Sequence, residues 1–133
     1  MPVGYRVEKW REFHRPNAAM LRYVLVSENY EVSQWSDLPG VIYGSHMHDK
    51  EQSHWVISGS LEVTLDAGGR YVLGAGDRDF MSAATYHSAR VLGEESCVYL
   101  VGSKKTATRR KARTTKGPSQ AQILKELKKM GLT

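Results

Sequence analysis

Residues 44–59 read Gly44-Ser45-His46-Met47-His48-Asp49-Lys50-Glu51-Gln52-Ser53-His54-Trp55-Val56-Ile57-Ser58-Gly59. His46 and His48 are two apart in a stretch with strand character, so both imidazoles project from one face. Two neighbouring imidazoles are half of a transition-metal site; the remaining ligands must come from elsewhere in the chain. On the pair alone, a metal site and two partly exposed strand histidines are equally good readings.

Working outward, the chain is rich in short extended segments broken by turn residues. YEVSQWSD (30–37) leads to the turn Leu38-Pro39-Gly40, then VIYGSHMH (41–48) and SHWVISG (53–59). Gly59-Ser60 turns into LEVTLD (61–66), Ala67-Gly68-Gly69 makes a hairpin to RYVL (70–73), and Gly74-Ala75-Gly76-Asp77 is a further tight turn. DFMS (79–82), HSARVL (87–92) and SCVYLVG (96–102) complete seven or eight strands without crossover helices, which predicts an antiparallel sandwich or jelly roll. Before them, Asn17 is placed to cap a helix over 17–29, with Met20, Leu21, Val24 and Leu25 at helical spacing. The boundaries are therefore an N-terminal segment with a short helix (1–29), a barrel (30–102), a basic linker (103–118) and a short amphipathic helix (119–133).

Residues 44–59 resemble the first motif of the cupin superfamily, in which an H-x-H pair is followed three or four residues on by a carboxylate and then by Gly. The register here lands on Gln52 and Gly59. Residues 74–87 resemble the second motif, where Gly-Asp leads through a Pro to a His; Ser82 stands at the Pro position, His87 at the His, and Val91 where Asn is often found. The segment Trp35-Ser36-Asp37-Leu38-Pro39-Gly40 is similar to one preceding the H-x-H pair in many small cupins. The resemblance covers residues 30–102. It implies an all-β, antiparallel jelly-roll β-barrel with a short N-terminal helix and a C-terminal basic tail plus short helix. It implies a divalent metal ion (Zn, Fe, Ni or Mn) held by His46, His48 and His87, and a homodimer.

The fourth ligand is where the chain departs from its relatives, which usually carry Glu at the position of Gln52. Glu51 is the alternative, but on an extended strand it points to the opposite face unless a bulge intervenes. Gln52 also resembles the Gln ligand of cupins that act on unsaturated uronic acids. Three neutral imidazoles and a neutral amide leave a divalent ion its full charge, which makes it a stronger Lewis acid and a stronger attractor of anions. A small anionic metabolite is the expected ligand. Lyase or isomerase chemistry, or oxygenase chemistry if the metal is iron, is the expected activity. A non-catalytic metal or metabolite sensor is the alternative.

His54 shares the strand parity of Gln52 and is the candidate catalytic acid or base; a further ligand and a plain barrel histidine are the other readings. Tyr43, Arg70, Arg78, Tyr86 and Arg90 are polar candidates for the cavity. Trp35 and Trp55 read as packing residues, Trp10 as cover for a strand edge, and His14 as a surface residue. Cys97, the single cysteine, reads as a small buried hydrophobe and excludes an intrachain disulfide.

Charge divides the 133 residues unevenly. Residues 103–133 contain ten Lys/Arg and one acid, Glu126, whereas the rest of the chain is mildly acidic, within a total of +5. KKTATRRKARTTKG (104–117) has too little apolar surface to order itself. Its positive charge could attract nucleic acid, but without interleaved aromatics a soluble linker is favoured. Beyond it, Ser119 and Gln122 form a capping box, and Ile123, Leu124, Leu127 and Met130 make one apolar stripe. No stretch approaches the ~20 apolar residues that span a bilayer, and the N-terminus lacks the apolar centre of a signal peptide, so a cytoplasmic protein is expected.

Overall fold

The computed structural model describes residues 4–105. Nine strands and one helix are found among them: β1 (Tyr5–Glu8), α1 (Ala18–Ser27), β2 (Tyr30–Asp37), β3 (Ile42–His46), β4 (Gln52–Ser58), β5 (Ser60–Leu65), β6 (Arg70–Leu73), β7 (Arg78–Met81), β8 (His87–Leu92) and β9 (Cys97–Lys104). They form a five-stranded sheet, β1-β7-β4-β9-β2, and a four-stranded sheet, β3-β8-β5-β6. All pairings are antiparallel, as a jelly roll requires. The expected strands from residue 30 onward are all present.

Alternation along β4 and β9 explains why these are the central strands. Val56, Cys97 and Tyr99 face the other sheet, where Leu61, Val63, Leu65, Leu73 and Val91 complete the core. Between them, Trp55 and Leu100 project the opposite way and are covered by Leu21 and Leu25 of α1 and by Tyr30. Both faces of these strands are therefore buried. Each fully buried aliphatic side chain contributes about 1.5–3 kcal/mol relative to exposure.

The helix is set by local chemistry and then held by one buried cation. Asn17 is extended and its side chain accepts from the Met20 backbone N–H at 3.1 Å. Asn29 ends the helix in the left-handed region, with φ 74°, and turns the chain into β2. Of the four predicted apolar positions, Leu21 and Leu25 are buried, while Met20 is exposed. Arg78 is buried with its guanidinium against the Trp55 and Phe80 rings, 4.2 and 4.1 Å from their centroids, and pairs with Glu28 at 2.9 Å. That contact pins the C-terminal end of α1 to the sheet.

Three features were not legible in the sequence pattern. Tyr5–Glu8 forms β1 on the edge beside β7. β9 continues through Lys104, past the expected barrel boundary at 102, with its full length paired to β2. Trp10 packs on the turn at Gly76 rather than along a strand, its backbone N–H donating to Asp77. The motif glycine Gly59 has φ +86° and no room for a Cβ against the Ser96–Cys97 backbone, so the β4–β5 turn requires glycine. Among the described residues no helix is long and apolar enough to cross a membrane. Residues 106–133, which include most of the basic linker and the expected C-terminal helix, lie outside the described residues.

Candidate metal centre

One cavity of about 650 Å³ lies between the two sheets and is lined by His46, His48, Gln52, His54 and His87. A register shift between Tyr43 and His46 adds one residue to β3, and it leaves His46 opposite His87 on β8. Such a bulge re-aims side chains at the end of a strand. His48 follows β3, its backbone carbonyl accepting from the Ala84 N–H at 2.7 Å. The ligand atoms of His46, His48 and His87 all lie within 4.8 Å of one another.

Two of the three imidazoles are held in the ligating tautomer. His46 Nδ1 lies 2.6 Å from the Gly44 carbonyl and His87 Nδ1 lies 2.9 Å from the Thr85 carbonyl. A carbonyl only accepts, so each Nδ1 carries the proton and Nε2 keeps its lone pair for the site. Gln52, at the start of β4, lines the same cavity. Its side-chain oxygen is buried and without a hydrogen-bond partner among the described residues. A buried amide oxygen left unpaired costs about 1–3 kcal/mol, so an acceptor in this position calls for a cation or donor. Three imidazoles and one amide oxygen suit a divalent transition metal. Glu51 is turned the other way and accepts from the Tyr30 hydroxyl at 2.7 Å.

His54 sits one pleat further along β4, its ring centroid 6.4 Å from that of His87. Asp79, which is fully buried, holds it twice: the His54 backbone N–H donates to Oδ1 at 2.7 Å, and Nδ1 lies 3.0 Å from the same oxygen. The Tyr5 hydroxyl donates to Oδ2 of Asp79 at 2.9 Å. Burial lowers the His54 pKa, but the Asp79 charge and hydrogen bond outweigh it and the net shift is upward. A second carboxylate, Asp37, accepts from Tyr43 at 3.0 Å and from Tyr99 at 2.6 Å at the other end of the cavity. Burial, then Asp37, raises the pKa of both tyrosines, so both stay protonated as donors.

The other predicted polar residues separate cleanly. Tyr43 lines the cavity. Arg78 is buried under α1, and Arg70 and Arg90 pair with Glu62 at 3.8 and 2.7 Å in a separate surface pocket. Tyr86 and His14 are exposed. Trp55 is packed in the core, whereas Trp35 is about half exposed and lines the cavity. Cys97 is buried and its thiol is pushed up to about 12, first by burial, so it is not a nucleophile at neutral pH. Asp79, Tyr5, Tyr99 and Asp37 were missed by the sequence reading. An acid in the middle of the core strand RDFM was the available signal for Asp79; Tyr5, 74 positions away, offered none.

The model of the family described as Cupin domain matches residues 35–102, just over half of the chain. This chain belongs to the cupin family. Solved structures agree on the fold. An uncharacterized conserved protein with a double-stranded beta-helix domain from Klebsiella pneumoniae is 28% identical, with TM-score 0.51, covering 57% of this cupin and 67% of that chain. A chain from the structures of the DMSP lyases RdDddP and RnDddQII is 26% identical, with TM-score 0.53, over 58% of this cupin and only 39% of that chain. KdgF from Halomonas is 20% identical, with TM-score 0.51, over 77% and 82%. No curated protein matches the sequence.

The histidine cluster makes the metal-free cupin acid-sensitive. Burial, then the neighbouring His46 and His87, lowers the His48 pKa from 6.5 to about 4, and burial likewise lowers His87. The unfolded chain takes up the His48 proton near pH 6.5 and the folded chain resists it until about pH 4; His87 is shifted in the same direction. The stabilising contribution of His48 is present above about pH 6.5 and is lost as pH falls toward 4. His54, raised instead, changes its contribution above that window. Melting curves of chelator-treated protein are expected to fall in Tm across this interval; a flat profile would contradict the packing of the cluster.

Proposed function

We propose that this cupin is a metal-dependent enzyme acting on a small anionic metabolite, with His46, His48, His87 and Gln52 holding a divalent ion and His54 moving a proton. The observation that carries the reading is the orphaned Gln52 oxygen in the cavity that three converging imidazoles also line. A divalent ion bound there supplies Lewis acidity toward a carboxylate or carbonyl oxygen of the substrate. The chain's own residues supply the rest. Asp79 fixes the His54 ring through Nδ1 and leaves Nε2 as the atom that gives or takes a proton in the cavity. The largely apolar wall around them lowers the local polarity and strengthens each of these interactions.

Supporting this reading, the cupin domain match covers every one of these ligands, and one structural relative, 26% identical, comes from the structures of two DMSP lyases. The test is reconstitution with divalent metals followed by elemental analysis: one equivalent per chain is expected, and none taken up would overturn the proposal. Its identity separates redox-capable iron from Lewis-acid metals. Gln52→Glu is expected to keep the metal, bound more tightly, while weakening binding of an anionic ligand about tenfold, because the added negative charge cancels one unit of the ion's charge. Titration of acetate into both metal-loaded proteins measures this; equal affinities would count against Gln52 as a ligand.

A further inference from the structure

The strand registers order the cavity into levels. At the metal end, Gln52 lies opposite Ser103 and Ser103 opposite Glu31, while His46 lies opposite His87 on the facing sheet. One pleat along, His54 lies opposite Val101 and Val101 opposite Ser33; facing them, Tyr43 is opposite Ala89 and Ala89 opposite Val63. The next level pairs Tyr99 with Trp35 on one sheet and has Leu61 on the other. Val63, Ala89, Val101, Leu61, Tyr99 and Trp35 all line the same cavity. Beyond the metal end the wall is therefore mainly aliphatic and aromatic, with His54, held by Asp79, and Ser33, whose hydroxyl accepts from the Trp35 ring N–H at 3.0 Å, as its polar members.

Charge is distributed just as unevenly. Among the described residues no lysine or arginine lines the cavity, and its one carboxylate, Glu31, lies level with the metal end. At the far end the Tyr43 and Tyr99 hydroxyls are committed to Asp37. A sugar acid placed here would bury hydroxyls against Val63, Val101 and Leu61, and each hydroxyl without a partner costs about tenfold in affinity. A distal second carboxylate would run toward Asp37 with no cation among the described cavity residues to meet it.

We infer that the ligand of this cavity is a monocarboxylate with an apolar body, its acid group at the His46–His48–His87–Gln52 end and its hydrocarbon against Val63, Val101 and Leu61. The inference rests on the metal-centred reading above and narrows it to a substrate class. It separates this cupin from enzymes whose cavities must satisfy several hydroxyls. The exposed chemistry of the head is common to all small acids, so discrimination falls to the body.

Isothermal titration of the metal-loaded protein tests it, with metal content measured first. Acetate, butyrate and hexanoate are expected to tighten by about fourfold per added methylene until the cavity is filled. Galacturonate is expected to bind at least tenfold more weakly than hexanoate, and adipate no more tightly than hexanoate. Val101→Thr and Ala89→Ser keep side-chain size and strand compatibility; each is expected to weaken hexanoate several-fold and leave acetate unchanged. On metal-loaded protein, a flat alkanoate series, or galacturonate binding as tightly as hexanoate, would overturn the inference and leave the metal site standing. Failure to take up metal overturns both.

Discussion

His87→Ala is expected to empty the site: about one metal equivalent in the wild-type protein should fall to a small residual fraction after reconstitution and dialysis. His87 is nearly fully buried and stands on β8 inside the four-stranded sheet, opposite His46 of β3 on one side and Leu65 of β5 on the other. Its Nδ1 is committed to the Thr85 carbonyl, so the side chain is held with Nε2 directed at the other two imidazoles. Groups that merely orient a ligand cost roughly 10–100-fold in metal affinity when removed, and removal of a ligand costs more. Among the described residues no neighbouring acid or cysteine can take its place, since the cluster contains only the three histidines. Elemental analysis decides the matter. Retention of a full equivalent by the variant would place the metal elsewhere.

Asp79→Ala is expected to carry the largest stability cost of any single change near the site. The carboxylate is inaccessible to solvent and satisfies three donors: the Tyr5 hydroxyl, the His54 backbone N–H and His54 Nδ1. Each buried donor left unpaired costs about 1–3 kcal/mol, and relief of the buried charge offsets part of the sum. A net loss of about 3 kcal/mol should lower Tm by on the order of 10 °C in a domain of this size. Asp79→Asn keeps the shape and an acceptor for the His54 backbone, so it should melt closer to wild type. The amide nevertheless removes the charge behind the imidazole. If His54 moves the proton, the Asp79→Asn protein should lose turnover far beyond its loss of stability. Parallel losses in both would make Asp79 a structural residue only.

These two expectations separate what could be read along the chain from what could not. His87 was identified from the resemblance of residues 74–87 to the second cupin motif, in which Gly-Asp leads on to a His. The period of two in an extended chain suggested a common face for His46 and His48; the structure instead ends β3 at His46 after a bulge, places His48 just beyond it, and brings Gln52 in from β4 of the other sheet. Glu51 was set aside on parity, and its contact with Tyr30 on the outer face accords with that argument. The position of α1 followed from the Asn17 cap and the apolar spacing. Its docking did not: Met20 matched the pattern and is exposed, because Glu28, Arg78 and the Trp55 ring determine how the helix is seated.

The linear order of residues was sufficient for the jelly roll and, through the resemblance to the cupin motifs, for the histidine cluster, since alternation, turn chemistry and motif spacing are local properties. Only tertiary structure joined Tyr5 to Asp79 and Asp79 to His54, and only it set Tyr43 and Tyr99 against Asp37. Those partners come from strands distant in sequence, and no period links one to the next. The character of the cavity was decided the same way. The proposed anionic ligand rests on the charge a divalent ion would bring to the site, and its proposed apolar body on which side chains of the two sheets meet at each level between them.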